Sequence, residues 1–200
     1  MPPAPLSAAP KRRWFQWSLR TLFVVVTVLS VALGIVLHRA RTRREALRAI
    51  DELGGGYSIT IGGTAWLRSI VNDDKYFYDI SRISFRNTPE RPFTDENLAS
   101  VIDSINTFKR PKLLDLTDTD VTDNGLPHLY RVRNLEGLRL GSTTVADAGL
   151  TDAGLVKLEP LSSLKTLDIS NTKATDEGIA RFKRSVPGCR VQHFQYGRAN

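Results

Sequence analysis

Cysteine occurs once in these 200 residues, at Cys189, and a lone thiol excludes an internal disulfide framework while leaving the redox compartment unassigned. Histidine is scarce as well. His38, His128 and His193 stand at no metal-ligand or catalytic spacing, and the chain has neither a Gly-x-Ser-x-Gly step nor a Gly-Lys-Ser/Thr phosphate loop. The glycines between Gly54 and Gly63 lack the lysine that phosphate binding wants, so turns explain them better. The expectation is therefore a non-catalytic protein without cofactor or metal.

Acidic residues cluster once, at Asp115, Asp118, Asp120 and Asp123, which invites a calcium loop. Counted from Asp118, however, the sixth position is Asp123 where glycine is needed, and the twelfth is Leu129 where glutamate is needed. The net charge of +7 is equally uninformative about nucleic acid. Residues 1 to 48 hold nine lysines and arginines against Glu45, a net +8, so the remainder carries −1 and no basic footprint for phosphates.

What the chain does have is one long apolar run. Residues 1–16 are proline-rich and then basic and read as a disordered tail, with Lys11, Arg12 and Arg13 beside Trp14, Phe15 and Trp17 in the manner of a headgroup belt. Thr21 to Leu37 follows without a charge. At about 1.5 Å per residue that is roughly 25 Å, and 17–38 as a whole suits a transmembrane helix in a bilayer core of about 30 Å. Ala32-Leu33-Gly34 resembles a signal-peptidase box, but three more apolar residues and His38-Arg39 follow, which counts against cleavage. Basic residues flank both ends, so the positive-inside rule gives no orientation. Ser30 and Gly34 form a small-x-x-x-small pair that offers a weak homo-oligomer through this helix.

Beyond it, 39–56 reads as a juxtamembrane helix and linker, with Ala46, Leu47, Ile50 and Leu53 at helical spacing and Gly54 as the stop. Residues 57–79 read as an N-terminal cap, with a strand at Tyr57–Ile61 and a short helix at Thr64–Val71. From 80 to 191 one pattern returns. Leu114-Asp115-Leu116, Leu138-Arg139-Leu140 and Leu167-Asp168-Ile169 are followed by Thr119, Thr143 and Thr172. Next come Thr122-Asp123-Asn124-Gly125-Leu126, Ala146-Asp147-Ala148-Gly149-Leu150 and Thr175-Asp176-Glu177-Gly178-Ile179, with Thr151-Asp152-Ala153-Gly154-Leu155 as an additional helix start. Leu114 to Leu138 spans 24 positions and Leu138 to Leu167 spans 29. Ile80, Ile83 and Phe85, Thr88, and Thr94-Asp95-Glu96-Asn97-Leu98 form an atypical first copy, and Val186 to Val191 a closing turn and strand, with 192–200 a tail.

Such a period predicts one strand and one helix per repeat, stacked so that the leucines share a core in an α/β solenoid with parallel strands inside and helices outside. Asp or Thr of the Thr-Asp-x-Gly-Leu step is expected to cap the outer helix, and the threonines at 88, 119, 143 and 172 to bond the turning backbone of the neighbouring repeat. The motif resembles leucine-rich repeats of the ribonuclease-inhibitor-like and cysteine-containing-like kind. With Ser18-Leu19-Arg20-Thr21-Leu22, the arginine-rich helix, Leu53-Gly54-Gly55 and Trp66-Leu67, the whole order resembles small membrane-anchored leucine-rich-repeat proteins of planctomycete-type bacteria. That resemblance implies architecture and carries no biochemical activity.

The strand register turns Arg82, Ser84, Arg86, Leu113, Asp115, Thr117, Gly137, Arg139, Gly141, Thr166, Asp168 and Ser170 outward. The candidate protein-binding face is Arg86, Asp115, Thr117, Arg139, Asp168 and Ser170, centred on Arg139. The expected partners are a lipid bilayer and a protein presented to this face, and the alternative is a structural envelope component that self-associates through its anchor.

Overall fold

The computed structural model describes residues 19–61, 78–88, 90–108, 111–142 and 149–195. The chain divides into two compact units, Met1–Arg39 and Ala40–Asn200. Helix α1, Leu19–Glu52, carries an 18-residue window of mean hydropathy 2.4 with no part of it buried, and is long and apolar enough to span a membrane. The helix runs on without a break at His38 because Arg39 to Glu52 holds good helix formers. It stops where Gly54 takes φ +71°, a left-handed conformation that costs glycine little.

The second unit is mixed α/β, built on a six-stranded sheet in the order β1 to β6. β1, Gly56–Ile61, pairs antiparallel with β2, Tyr78–Ser84. β3 to β6, at Leu113–Asp115, Gly137–Arg139, Thr166–Asp168 and Arg190–Gln192, continue the sheet in parallel. Ile83, Leu114, Leu138, Leu167 and Val191 lie directly beside one another. The first four are buried, together with Phe85, Leu116, Leu140 and Ile169. This spacing is what the leucine pattern predicts, and it places a continuous apolar layer on one side of the sheet.

Among the described residues three further α-helices and one 3-10 helix connect the parallel strands. α2 spans Asp95–Asn106, α3 Asp152–Leu158 and α4 Asp176–Ser185. They contribute Leu98, Val101, Ile102, Ile105, Leu155, Leu158, Ile179 and Phe182 to the same core. The expected helix after Gly125 is instead a 3-10 helix, Leu126–Arg131, because Pro127 near its start removes a donor and too few residues remain before β4. At the other end Ala46 and Ile50 of α1 are buried, and Leu47, Leu53 and Tyr57 pack on the core beside β2. The expected helix at Thr64–Val71 lies outside the described residues, as do Thr143 and 146 to 148 of the second repeat's Ala-Asp-Ala step.

Corners after the strands recur in register. Asp118, Ser142 and Asn171 adopt φ of 58°, 51° and 56°, turning the chain off the sheet at the same level of successive repeats. Their amides donate to the neighbouring repeat: Asp118 to the Gly141 carbonyl at 3.1 Å, Ser142 to Ser170 at 2.8 Å and Asn171 to Phe194 at 2.8 Å. Backbone bonding therefore outlasts the three-residue strands.

Candidate functional site

Two constellations recur through the repeats, one at the helix starts and one on the exposed sheet face. At the helix starts threonine caps: Thr151 Oγ1 accepts from the Ala153 amide at 3.1 Å, and Thr175 Oγ1 from the Gly178 amide at 3.2 Å. The aspartate that follows does something else, which corrects the expectation that it caps its own helix. Asp95 accepts from Thr122 N and Oγ1 at 2.8 and 2.7 Å; Asp123 accepts from Thr151 at 3.1 and 2.6 Å; Asp152 accepts from Thr175 at 2.8 and 2.8 Å. Each carboxylate grips the threonine of the next helix start. Charged acceptors make stronger bonds than neutral ones, and the Thr175 amide and hydroxyl hold the Asp152 carboxyl below its ordinary value of 3.8.

This clamp explains the glycine. A Cβ at Gly125, Gly154 or Gly178 would overlap Oδ1 of Asp95, Asp123 or Asp152, respectively. The first repeat, where none of the described residues supplies an aspartate from a preceding repeat, has Asn97 in the glycine position, and Asn97 Oδ1 accepts from Thr94 N and Oγ1 at 2.9 Å each. The first copy thus satisfies its own threonine. The sequence motif does not single out Asn97, although asparagine in a glycine column was the available signal.

The hydroxyls one turn after the strands also work differently from expectation. Thr119 and Thr172 donate to Leu116 and Ile169 of their own repeat, both at 2.7 Å, and not to the neighbour. At this position the hydroxyl bonds the carbonyl three residues back, a local side-chain-to-backbone bond. Thr88 is exposed, and Asn87 replaces it: its Oδ1 accepts from the Phe93 amide at 2.8 Å and its Nδ2 donates to Asp120 at 2.7 Å. The four aspartates that suggested calcium are dispersed among separate tasks. Asp115 lies on the sheet, Asp118 at a corner, Asp120 beside Asn87 and Asp123 in the clamp.

On the sheet face the middle row reads Ser84, Asp115, Arg139, Asp168, Gln192 across neighbouring strands. Arg139 Nη1 sits 3.2 Å from Asp115 Oδ2. Among the described residues Arg139 pairs with Asp115 and forms no ion pair with Asp168, so the expected flanking by both carboxylates is one-sided. Asp115, expected to stand outward, is only 7% exposed: Thr117 closes over it, donating Oγ1 to Oδ1 at 2.7 Å. Asp168 is bonded in the same way by Ser170, at 2.7 Å, but stays half-buried. Gly137 and Gly141 stand two positions to either side of Arg139, and a Cβ at Gly141 would come within 3.2 Å of the Ser170 carbonyl. Arg82, Arg86 and Thr166 are exposed. Arg86 also borders a shallow cavity of about 360 Å³ with Leu53, Gly54, Thr88, Glu90 and Arg91. At the strand starts Glu136 lies 3.8 Å from Lys112 and 3.1 Å from Lys165, and the Lys165 bond lowers its carboxyl pKa.

Among the described residues the face offers charge and hydrogen bonding and no activated nucleophile. Cys189 is buried, and desolvation pushes its thiol up to about 11, away from the thiolate that reactivity needs. No family model matches the chain, and no curated protein matches it.

Proposed function

We propose that the chain is a membrane-anchored leucine-rich-repeat protein, a short solenoid that holds its sheet face toward a protein partner. α1 is its anchor, and binding is its work. The observation that carries this reading is a face of the parallel sheet that none of the described residues covers. Parallel sheets are ordinarily covered on both sides; here the leucine side is buried while Arg82, Arg86 and Thr166 stand exposed, with Asp168 half-buried among them.

The pairing of Arg139 with Asp115 makes Arg86 and Asp168 the better contacts, since their charges are not spent on each other or on a neighbouring ion pair among the described residues. Rigid charges on a sheet steer and orient a complementary surface. The test is site-specific photocrosslinking in cells that make the full chain. A photoreactive residue at Thr166 captures one defined partner, whereas one at Arg133, exposed before β4, does not. Combined Arg86→Glu and Asp168→Lys substitution removes the adduct while the chain keeps a cooperative thermal transition, lowered only by the loss of the Ser170 bonds to Asp168. Equal adducts from both positions, or an adduct indifferent to the charge reversals, defeats the reading.

A further inference from the structure

The last repeat ends in an unfilled version of the contact that joins the others. β6 is the terminal strand, and its alternation spends Arg190 N, Gln192 O and Phe194 O on the preceding repeat. The N–H and C=O of Val191 therefore point to the open edge. Beneath it, Gly178 of α4 faces the preceding repeat, where Asp152 fills the space its Cβ would need. At 100° per residue Asp176, Ala180 and Lys183 lie on the opposite side of that helix, and all three are exposed. Asp176 occupies the position from which Asp95, Asp123 and Asp152 each reach the next threonine, yet no repeat follows among the described residues.

From this arrangement we propose that the end of the sheet is a self-complementary interface for a second copy of this chain. A twofold axis perpendicular to the sheet sets β6 antiparallel to its counterpart, with Val191 opposite Val191 exchanging two backbone bonds and Arg190 opposite Gln192. The same axis passes between the two α4 helices near Ala180, midway between Asp176 and Lys183. Asp176 of each copy then meets Lys183 of the other, and the small side chain of Ala180 lets the helices approach. Head-to-tail stacking is closed off because Asn97 already holds Thr94 at the first repeat. β1, the other sheet edge, is broken by a register shift between Ser58 and Ile59, which unfits it for pairing.

The interface is separate from the partner-binding face and from the Ser30 and Gly34 pair of the anchor. The experiment uses the full chain in lipid nanodiscs or cells, with Cys189→Ala as background and copper phenanthroline as oxidant. Ala180→Cys forms a disulfide-linked dimer; Ala153→Cys, exposed on the preceding helix, does not. Asp176→Lys or Lys183→Asp alone weakens dimerisation about tenfold or more, because attraction becomes like-charge repulsion on both sides of the axis, and the two together restore it. Absence of the Ala180→Cys dimer, indifference to single reversals, or no recovery in the double variant overturns the proposal. A dimer that crosslinks through Arg20→Cys and ignores the reversals assigns association to the anchor, leaving the face reading untouched.

Discussion

The clamp between repeats makes a prediction whose sign is unusual. Gly154→Ala in a helix would ordinarily gain about 0.5 to 1 kcal/mol from reduced backbone freedom in the unfolded chain. Here the new Cβ claims the space of Asp123 Oδ1, so the carboxylate must swing away and surrender its bonds to Thr151. Hydrogen bonds to a charged group contribute about 1.5 to 3 kcal/mol each. Because Asp123 and Thr151 are both half-buried, water recovers part of that, and a net loss of about 2 to 3 kcal/mol is reasonable. Asp123→Ala alone should cost a similar amount. Combining the two should cost little more than Asp123→Ala by itself, since the carboxylate and its bonds vanish together and the remaining neighbour, Leu150 Cδ1 at 2.6 Å, is the end of a side chain that can turn aside, which gives a coupling of about 2 to 3 kcal/mol. For a unit of this size that corresponds to roughly 4 to 12 °C in melting temperature, followed by circular dichroism of the full chain in detergent. Gly188→Ala, where an added Cβ meets nothing within 4 Å, is the control. If the Gly154 and Asp123 effects simply add, the clamp is not what requires glycine.

Two other expectations bear on the same framework. Asp152 has a lowered carboxyl pKa in the folded chain, so the stability it contributes is present above its ordinary 3.8 and is lost as pH falls through the folded value; Asp152→Asn should flatten the acid limb of an unfolding titration in that window, and an unaltered limb would contradict the assignment. Thr119→Val should destabilise by about 1 to 3 kcal/mol, because the fully buried hydroxyl pairs the Leu116 carbonyl, whereas Thr88→Val at an exposed site should stay within about 0.5 kcal/mol; equal effects in denaturant melts would count against the distinction.

The sheet was legible in the leucine spacing because burial on one side of a strand leaves a period-two record, and Leu114, Leu138 and Leu167 pair as that record requires. The apolar helix was legible for the same reason, as an uninterrupted run. What the sequence concealed were relations between repeats. Asp123 next to Thr122 looks like a cap because capping is local, but its partner, Thr151, lies 28 positions away. Asp115 and Asp168 occupy equivalent positions, and only the geometry shows that one is buried and paired with Arg139 while the other is not. Pro127 was visible, yet its conversion of an α-helix into a 3-10 turn depends on how few residues remain before β4.

The distances along the chain between equivalent leucines are unequal. Ile83 to Leu114 takes 31 residues, Leu114 to Leu138 takes 24 and Leu138 to Leu167 takes 29, yet all four residues sit side by side. Ladder and clamp together fix the two layers, so insertions and deletions are absorbed in the connections without shifting either. A lineage carrying this architecture can lengthen or decorate a single connection, generation after generation, while its neighbours inherit an undisturbed frame.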